Sequence, residues 1–326
     1  MVAFIVIVAA LAIFGLRHMA KPVPVKTWSG TVMRLPYKIL VQDRDMTATG
    51  EDSLRIHLAE LLTGMDARFS RQSGMGLVAD FNKRIVRTPF YIGSEVWRVI
   101  DFEKRLSGVC GAVDISVAPL EDLWAKTAAG GPAPAEDDVK RLLYEIGMDR
   151  LNVPAEPYVC KMHPETAISL DTIAHGYIAD HIAIFMQENH VSHFQVEIGG
   201  VVLSRNMPAQ SAAIPACTPG PGEPPAPNVR LMSAAMASAG AGDGFIHIDP
   251  RTGHPVSNGT RCVTVVAESG LVAKGLACAL YTLGPVEGLP WLETNGVAKG
   301  EALFIMDKPG GGFVKYKTKR FPLAEP

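Results

Sequence analysis

Two chemically distinctive side chains, Lys274 and Cys278, lie four residues apart within a largely apolar stretch, residues 272–282. The stretch is predicted to be a helix, so both side chains should point to the same face. A charged lysine has no lone pair to donate, and a thiol is a poor ligand for a hard cation such as Mg²⁺. Cys278 is interpreted as a small buried apolar side chain.

A second polar group lies at 247–253. Asp249 begins an Asp-Pro-Arg-Thr-Gly sequence that is typical of a type I turn, so its carboxylate is expected to serve the backbone. His247 could contact a ligand or a catalytic hydroxyl, or belong to the same turn. Asp114 could contact a ligand or cap a helix that starts near Val117. For His247 and for Asp114, the ligand-contacting and the structural alternative both stay open.

Other candidate residues favour structural roles. Gly199-Gly200 follows a buried strand and marks a close backbone passage, of either a ligand or another strand. Leu120 and Trp124 are expected in the core. A further three histidines fit no metal motif and are expected at the surface: His181, His190 and His193.

The five cysteines show no CxxC spacing, so neither a zinc site nor a disulfide framework is indicated. They are Cys110, Cys160, Cys217, Cys262 and Cys278. One pair could still form, but the sequence does not name it and leaves the redox compartment open.

Composition excludes several classes of protein. With 31 basic and 33 acidic side chains and a net charge of −2, the chain lacks the basic character of a nucleic-acid binder. We find no heptad seam and no internal repeat.

Residues 1–16 are apolar without interruption and are followed by Arg17 and His18. At about 1.5 Å per residue they form roughly 24 Å of helix, a little short of a bilayer core. We predict a membrane anchor over 1–20, a linker over 21–31 and one body over 32–326. The positive charges after the segment favour a cytoplasmic body, whereas the resemblance given below favours an extracytoplasmic, periplasmic one, which we prefer.

The body alternates between helical and strand patterns without a regular βαβ rhythm, so an α+β fold is predicted. A Rossmann fold is disfavoured, because no strand leads into a GxGxxG turn. The predicted helices are 53–69, 89–106, 136–146, 174–189 and 272–282. The predicted strands are 37–42, 167–170, 194–198, 229–232, 262–267 and 302–306, and 208–227 is predicted to be a surface loop.

Five segments occur in the same order as motifs of the FAD:protein FMN transferase (ApbE) family, which the chain therefore resembles over about residues 32–304. Residues 111–124 resemble "GaFDptvgPL…LW", 171–180 resemble "GGIAKGYAvD", 197–200 resemble "nlGGD", 247–255 resemble "HIIDPrTGrP", and 263–284 resemble "TVvA…ADalATAlfvlG". Met33 and Tyr37 match the family's "MGTxY" opening, and 69–73 its "lSry…S" turn.

The resemblance implies an ApbE-type, T-fold-like α+β domain that binds FAD and, with Mg²⁺, transfers FMN to a Ser or Thr hydroxyl of a partner protein. It implies FAD-contacting positions, which are Met33, Asp114, Ala174, His175, Gly199, Gly200, Ser238, His247 and Lys274.

The chain departs from the family at the positions that hold metal and phosphate. The family's metal-binding Asp and Thr are Lys274 and Cys278 here, so loss of Mg²⁺ is expected. Asp171-Thr172 replaces paired glycines, where a carboxylate would repel a phosphate. Further departures are Ser169 for Asp, His175 for Lys, Val201 for Asp, and Ala237-Ser238-Ala239 for the family's "TSG".

Two functions follow from this comparison. The departures favour a degenerate, membrane-anchored member that acts as a flavin-binding or structural subunit of a membrane redox complex, without catalysis. The alternative is an active FAD:protein FMN transferase that acts on a partner flavoprotein. Lys274 is interpreted as a solvated surface lysine, and the alternative is a fixed countercharge that replaces Mg²⁺.

Overall fold

The computed structural model describes residues 23–43, 46–207, 210–214, 217, 227–308 and 311–324. The predicted anchor, 1–20, lies outside the described residues. Within the described ranges, no helix is both long and apolar enough to cross a bilayer.

The described helices are α1 Ala48–Phe69, α2 Leu77–Lys83, α3 Ser94–Cys110, α4 Ala118–Ala128, α5 Glu136–Glu145, α6 Ala174–Glu188 and α7 Gly270–Thr294. The described strands are β1 Lys26–Val32, β2 Leu35–Val41, β3 Phe90–Tyr91, β4 Leu151–Asn152, β5 Tyr158–Lys161, β6 Phe194–Ile198, β7 Val201–Arg205, β8 Gln210–Ala212, β9 Val229–Leu231, β10 Ala235–Gly240, β11 Ile248–Asp249, β12 His254–Pro255, β13 Thr260–Ala267, β14 Glu301–Asp307 and β15 Phe313–Lys317. The chain is thus α+β, as predicted.

An antiparallel sheet of eight strands, in the order β1-β2-β6-β7-β10-β13-β14-β15, forms the centre of the fold. Side chains alternate between its two faces, as the pleat requires. One face of β13 carries Val263 and Val265 into the main core with α6 and α7, and the other carries Cys262 into a smaller cluster with β9. Cys262 forms a disulfide with Cys217 there.

The helices α6 and α7 pack closely against each other because glycines meet at their crossing. A Cβ atom on Gly176 would collide with the backbone of Gly270. The carboxylate of Asp180 accepts hydrogen bonds from the first two amides of α7, at Gly270 (2.6 Å) and Leu271 (3.0 Å), where the helix dipole favours an anion. This crossing fixes residues 174–176 beside residue 274.

Helix α3 packs against α7 as well, and with α6 and α7 it encloses the main core. A Cβ atom on Gly275 would lie 2.6 Å from the Phe102 ring and 3.3 Å from Oε1 of Glu103. Glycine at 275 therefore lets the two helices approach and brings a buried carboxylate next to the candidate site.

Several predicted boundaries were wrong. Residues 26–31, predicted as linker, belong to β1, and residues 210–212, predicted as surface loop, form β8. Helix α1 starts at Ala48 instead of 53, because the side chain of Thr47 caps the helix by accepting a hydrogen bond from Gly50 N. Residues 90–91 pair with β5 as a strand, so α3 starts at Ser94 instead of 89. Residues 167–170 form no strand, because the Ile168 backbone amide bonds the side chain of Asn82.

Candidate functional site

Lys274 is fully buried, with 0% of its surface exposed, so its interpretation as a surface lysine was wrong. It lies in the second turn of α7, and its Nζ donates to Ser238 O (2.8 Å) and to Asp243 Oδ2 (3.3 Å). The Phe245 ring centroid lies 5.3 Å from Nζ. A buried ammonium requires such partners, because desolvation without them is costly.

Asp243 joins this lysine to His247. Its Oδ2 lies 2.8 Å from Nε2 of His247, and the side chain is 0% exposed. Burial raises the pKa of Asp243, but Lys274 and His247 outweigh it and lower the pKa to about 2. Asp243 is therefore ionised across the physiological range. A proton on Nε2 of a neutral His247 would leave Nδ1 as an acceptor.

The Gly199-Gly200 turn lies against the same group. Both residues have positive φ angles, 54° and 78°, which favour glycine. A Cβ atom on Gly199 would collide with the His175 ring, and one on Gly200 would lie 3.5 Å from Nζ of Lys274. The turn thus packs directly on the side chains of His175 and Lys274.

His175 is buried and uncharged. Burial and the nearby Lys274 lower its pKa to about 3, so the ring is neutral at pH 7. By strict hydrogen-bond geometry neither ring nitrogen is paired among the described residues, although the backbone of Asp171 and Thr172 lies close enough to the ring to oppose the lowering of its pKa. Its ring lies 5.6 Å from that of Phe245. Unpartnered buried polar atoms are rare and point to a ligand or an ordered water.

A cleft of about 650 Å³ opens over the turn, a volume in the range of small-molecule sites. It is lined by β2 and β6 together with Gly199, Gly200 and Asp243. The glycine turn therefore separates the cleft from Lys274 and His175.

A smaller inner cavity of about 70 Å³ lies next to His247 and is lined by Glu103, Asp114, Glu121 and Cys278. Burial, and secondly Asp114, raise the pKa of Glu103 to about 8. Burial raises the pKa of Glu121 to about 7 although Arg71 opposes it, and burial raises that of Cys278 to about 12. The thiol stays protonated at neutral pH.

An outer cavity of about 380 Å³ also reaches His247 and is lined by aromatic rings, including Trp124, Phe245 and Tyr281. The Tyr281 ring contacts His247 edge-on, with centroids 5.0 Å apart. Trp124 Nε1 donates to Gly253 O at 2.9 Å. His247 thus lies between an inner polar cavity and an outer aromatic one.

The altered turn at Asp171 carries its own countercharge. Arg71 Nε lies 3.2 Å from Asp171 Oδ2, and the same guanidinium bonds Asp122 (2.8 Å) and contacts Glu121 (3.4 Å). Repulsion of a phosphate by Asp171, expected from sequence, is therefore weakened by Arg71.

The structure brings together His175, Gly199, Gly200, His247 and Lys274. Ser238 contributes only its carbonyl, because its hydroxyl bonds Thr264 Oγ1 on the other sheet face, 3.0 Å away.

Three other predicted residues have mainly structural contacts. Asp114 caps a 3₁₀ turn, Ile115–Val117, through Ser116 N while it lines the inner cavity. Met33 and Ala174 are buried in the main core, and Met33 N donates to Asp66.

The site residues do not suit Mg²⁺ at the family's metal position. The ammonium of Lys274 repels a cation, and the protonated thiol of Cys278 is a poor ligand. Among the described residues, no group of three or more His, Cys, Asp or Glu side chains is arranged to hold a metal ion.

Sequence reasoning missed Asp243, Glu103 and Phe245. The only signal for Asp243 was an acidic residue just before the 247–255 segment, in a Gly-Asp-Gly context typical of loops. Glu103 stood out only as a charge on a helix face that is otherwise apolar, with Val96, Val99 and Leu106 buried.

The family comparisons agree with this architecture. The chain is 26% identical to the FAD:protein FMN transferase of Haemophilus influenzae, over 97% of this chain and 96% of that protein. Its counterpart in Vibrio cholerae is also 26% identical, over 97% of both chains.

Solved structures give the same result. The flavin transferase ApbE from Vibrio cholerae superposes with a TM-score of 0.80 at 26% identity, covering 91% of this chain and 99% of that one. The apo flavinyl transferase ApbE of Pseudomonas stutzeri has a TM-score of 0.77 at 25% identity, covering 91% and 95%. The ApbE family model matches residues 30–303, and the chain belongs to the ApbE family.

Proposed function

We propose that this chain binds FAD and transfers its FMN half to a serine or threonine hydroxyl of a partner flavoprotein. The observation that carries the proposal is the Asp243–His247 pair, with 2.8 Å between Oδ2 and Nε2, next to the glycine turn. A histidine oriented by a buried carboxylate is a common general base. Relatives named FAD:protein FMN transferase, aligned over nearly the whole chain, support the same activity.

In the proposed reaction, the acceptor hydroxyl attacks the phosphorus of the FMN phosphate. A new phosphorus–oxygen bond forms, the bond to the bridging pyrophosphate oxygen breaks, and AMP leaves. His247 Nδ1 takes the hydroxyl proton, while Asp243 stabilises the imidazolium. The outer aromatic cavity is the side from which the acceptor segment reaches His247.

A second candidate is the flavin-binding or structural subunit without transfer activity. The observation that favours it is the Lys274 and Cys278 pair, which does not suit Mg²⁺. For the transferase we propose in turn that Mg²⁺ is not bound at this position. Full-length similarity to transferases favours the first candidate.

We also propose that residues 1–16 anchor the chain in a membrane and that its body lies outside the cytoplasm, near a membrane-bound redox partner. The Cys217–Cys262 disulfide supports an oxidising compartment.

The test uses the purified full-length chain, FAD and an acceptor protein with a flavinylation motif, analysed by in-gel flavin fluorescence and intact mass. We expect an acceptor adduct of one FMN less water, absent with His247→Ala and with an acceptor that lacks the hydroxyl. FAD binding without any adduct would favour the second candidate.

A further inference from the structure

We propose that the outer aromatic cavity binds an apolar side chain of the acceptor segment, close in sequence to the serine or threonine that receives FMN. The inference rests on the proposed function for the identity of the occupant. It adds the chemical class of acceptor that the site selects, and it places the residues that determine this selection beside the base.

The lining of this cavity is apolar. The cavity has a volume of about 380 Å³, and the ten described residues that line it include no Asp, Glu, Lys or Arg. Trp124 Nε1, one of its few polar side-chain atoms, already donates to Gly253 O at 2.9 Å. A charged side chain would lose its hydration there without gaining an opposite charge, whereas an apolar side chain gains from burial.

The cavity is larger than the acceptor hydroxyl requires. His247, the proposed base, forms one wall. A serine or threonine hydroxyl that reaches His247 fills only a small part of the volume, since cavities of a few hundred Å³ hold whole small molecules. In an extended segment, side chains two positions apart point to the same side at a spacing of about 7 Å. A neighbour of the hydroxyl residue can therefore enter the same cavity.

The cavity and the cleft lie on different sides of residues 241–245. Ala241 and Phe245 line the cavity, whereas Asp243, between them, lines the cleft of about 650 Å³. In phosphoryl transfer the attacking and leaving oxygens lie roughly in line, on opposite sides of the phosphorus atom. FAD in the cleft and the acceptor in the cavity fulfil this requirement, which assigns the cavity to the acceptor and not to the flavin.

The walls of the cavity are held by contacts within the chain. The Trp124 ring lies 5.4 Å from the His254 ring, and Tyr281 is buried with its ring centroid 5.0 Å from that of His247. Because these rings are already ordered, little affinity is lost to ordering the protein. Full burial of a leucine side chain then corresponds to roughly a ten- to hundredfold gain in affinity over alanine.

Ala128 and Ala241 allow the cavity to be filled without changing the catalytic group. Both are exposed and line the cavity, Ala128 from the end of α4 and Ala241 from the loop after β10. Ala128→Phe and Ala241→Phe therefore narrow the cavity from two sides. Ala125→Phe is the matched control, because Ala125 is exposed on α4 but does not line the cavity.

The experiment uses the full-length chain and the acceptor protein of the transfer test. Each position within about three residues of the acceptor hydroxyl is changed in turn to alanine, leucine and aspartate, a window that covers the side chains within reach. We measure kcat/KM for FMN transfer. Affinity is measured separately, by fluorescence anisotropy of a labelled acceptor whose hydroxyl residue is alanine, so that no transfer is needed.

At one or more of these positions, leucine should raise affinity and kcat/KM at least tenfold over alanine, and aspartate should lower both. Ala128→Phe and Ala241→Phe should bring the leucine acceptor down to the level of the alanine acceptor without weakening FAD binding. Ala125→Phe should retain the full preference for leucine.

Equal affinities for the leucine and alanine acceptors at every position, or an unchanged preference for leucine in both filled variants, would overturn the proposal. Weaker FAD binding in those variants would overturn it as well, because the cavity would then hold the flavin. A preference for leucine in binding, without any transfer, would refute the transferase and leave the acceptor pocket standing. Transfer at equal rates to the leucine, alanine and aspartate acceptors would do the reverse.

Discussion

His247 Nε2 and Asp243 Oδ2 lie 2.8 Å apart, and the same carboxylate oxygen lies 3.3 Å from the ammonium of Lys274. One carboxylate therefore orients the imidazole and neutralises the buried cation. Its pKa is lowered to about 2, because Lys274 and His247 outweigh the effect of burial, so it performs both roles throughout the physiological pH range.

Asp243→Asn should slow FMN transfer by about 10²–10⁴-fold, the range that a positioned general base contributes. An amide NH₂ facing Nε2 favours the tautomer with the proton on Nδ1, which removes the acceptor. FAD affinity should change less than the transfer rate, although the substitution also leaves the buried Lys274 ammonium without its carboxylate partner and should cost stability. Single-turnover transfer rates and FAD titrations separate the two effects.

Asp137→Asn, on the exposed first turn of α5, is the control and should transfer at the native rate. The double variant with His247→Ala should be no slower than His247→Ala alone, since residues that act as a unit are not additive. Transfer by Asp243→Asn within threefold of native would contradict the assigned base.

Gly200→Ala and Gly296→Ala form a matched pair, because both replace glycine at a positive φ angle, 78° and 69°. Each should lose about 1–2 kcal/mol of stability from backbone strain. Gly200 lines the cleft, and its new methyl would lie 3.2 Å from Ser238 O and 3.5 Å from Lys274 Nζ, whereas Gly296 has no atom within 4 Å of its Cβ position.

We therefore expect FAD affinity to fall at least tenfold for Gly200→Ala and to stay unchanged for Gly296→Ala. Denaturant unfolding measures the shared loss of stability, and FAD titration measures the difference. Equal affinities in the two variants would mean that the cleft beside residue 200 does not bind FAD.

Glu103 should make stability depend on pH. Burial and then Asp114 raise its pKa in the folded protein to about 8, against an ordinary value of 4.5. A raised carboxyl pKa means that the native state holds a proton that the unfolded state releases. The stabilisation is complete below pH 4.5 and is lost as pH rises to 8, with a slope of at most about 1.4 kcal/mol per pH unit.

Glu103→Gln should remove this slope and be more stable than the native chain at pH 8.5, because the amide is never ionised. Glu293→Gln, at an exposed glutamate, should follow the native curve. Urea unfolding between pH 5 and pH 9 tests the assignment. Parallel curves for Glu103→Gln and the native chain would place an ordinary, solvated carboxyl at this position.

Two strongly apolar elements were predicted closely, whereas several strands were missed, among them β7 and β15 and one of weak intrinsic propensity. The apolar runs of β6 and α6 were found within one residue of their observed bounds. Strand β10 was missed because its sequence, AMASAG, has little strand propensity. Its small residues are there because α7 packs on one side and β7 and β13 pair with its edges.

The candidate site was likewise predictable only in part. The motif order located the segments that converge, but Lys274 was misplaced at the surface. Helix α7 is apolar around most of its circumference, which is typical of a buried helix, and a lysine in its second turn is then expected to be buried as well. Asp243, its partner, lies 31 residues away in a loop without periodicity, so no local pattern could connect them.

The Cys217–Cys262 disulfide should stabilise the folded chain, and its presence in the cell would indicate an oxidising compartment. It joins residues 45 positions apart and ties the chain at 217 to β13 in the central sheet. Loop-closure entropy at this separation predicts that Cys217→Ser lowers the free energy of unfolding by about 2–4 kcal/mol. Cys110→Ser, at a free and half-buried cysteine, is the control and should cost less than 1 kcal/mol, roughly the scale of substitutions outside special sites.

The bond forms stably only where thiols are oxidised, which is expected for an extracytoplasmic body. In protein isolated from its native membrane under denaturing conditions, iodoacetamide should label three of the five cysteines before reduction and all five after it. Labelling of all five before reduction would mean that the chain resides in a reducing compartment. A reductant distinguishes the two cases. If the disulfide is present, the reductant should lower the stability of the native chain to that of Cys217→Ser. If it is absent, the reductant should leave the stability unchanged.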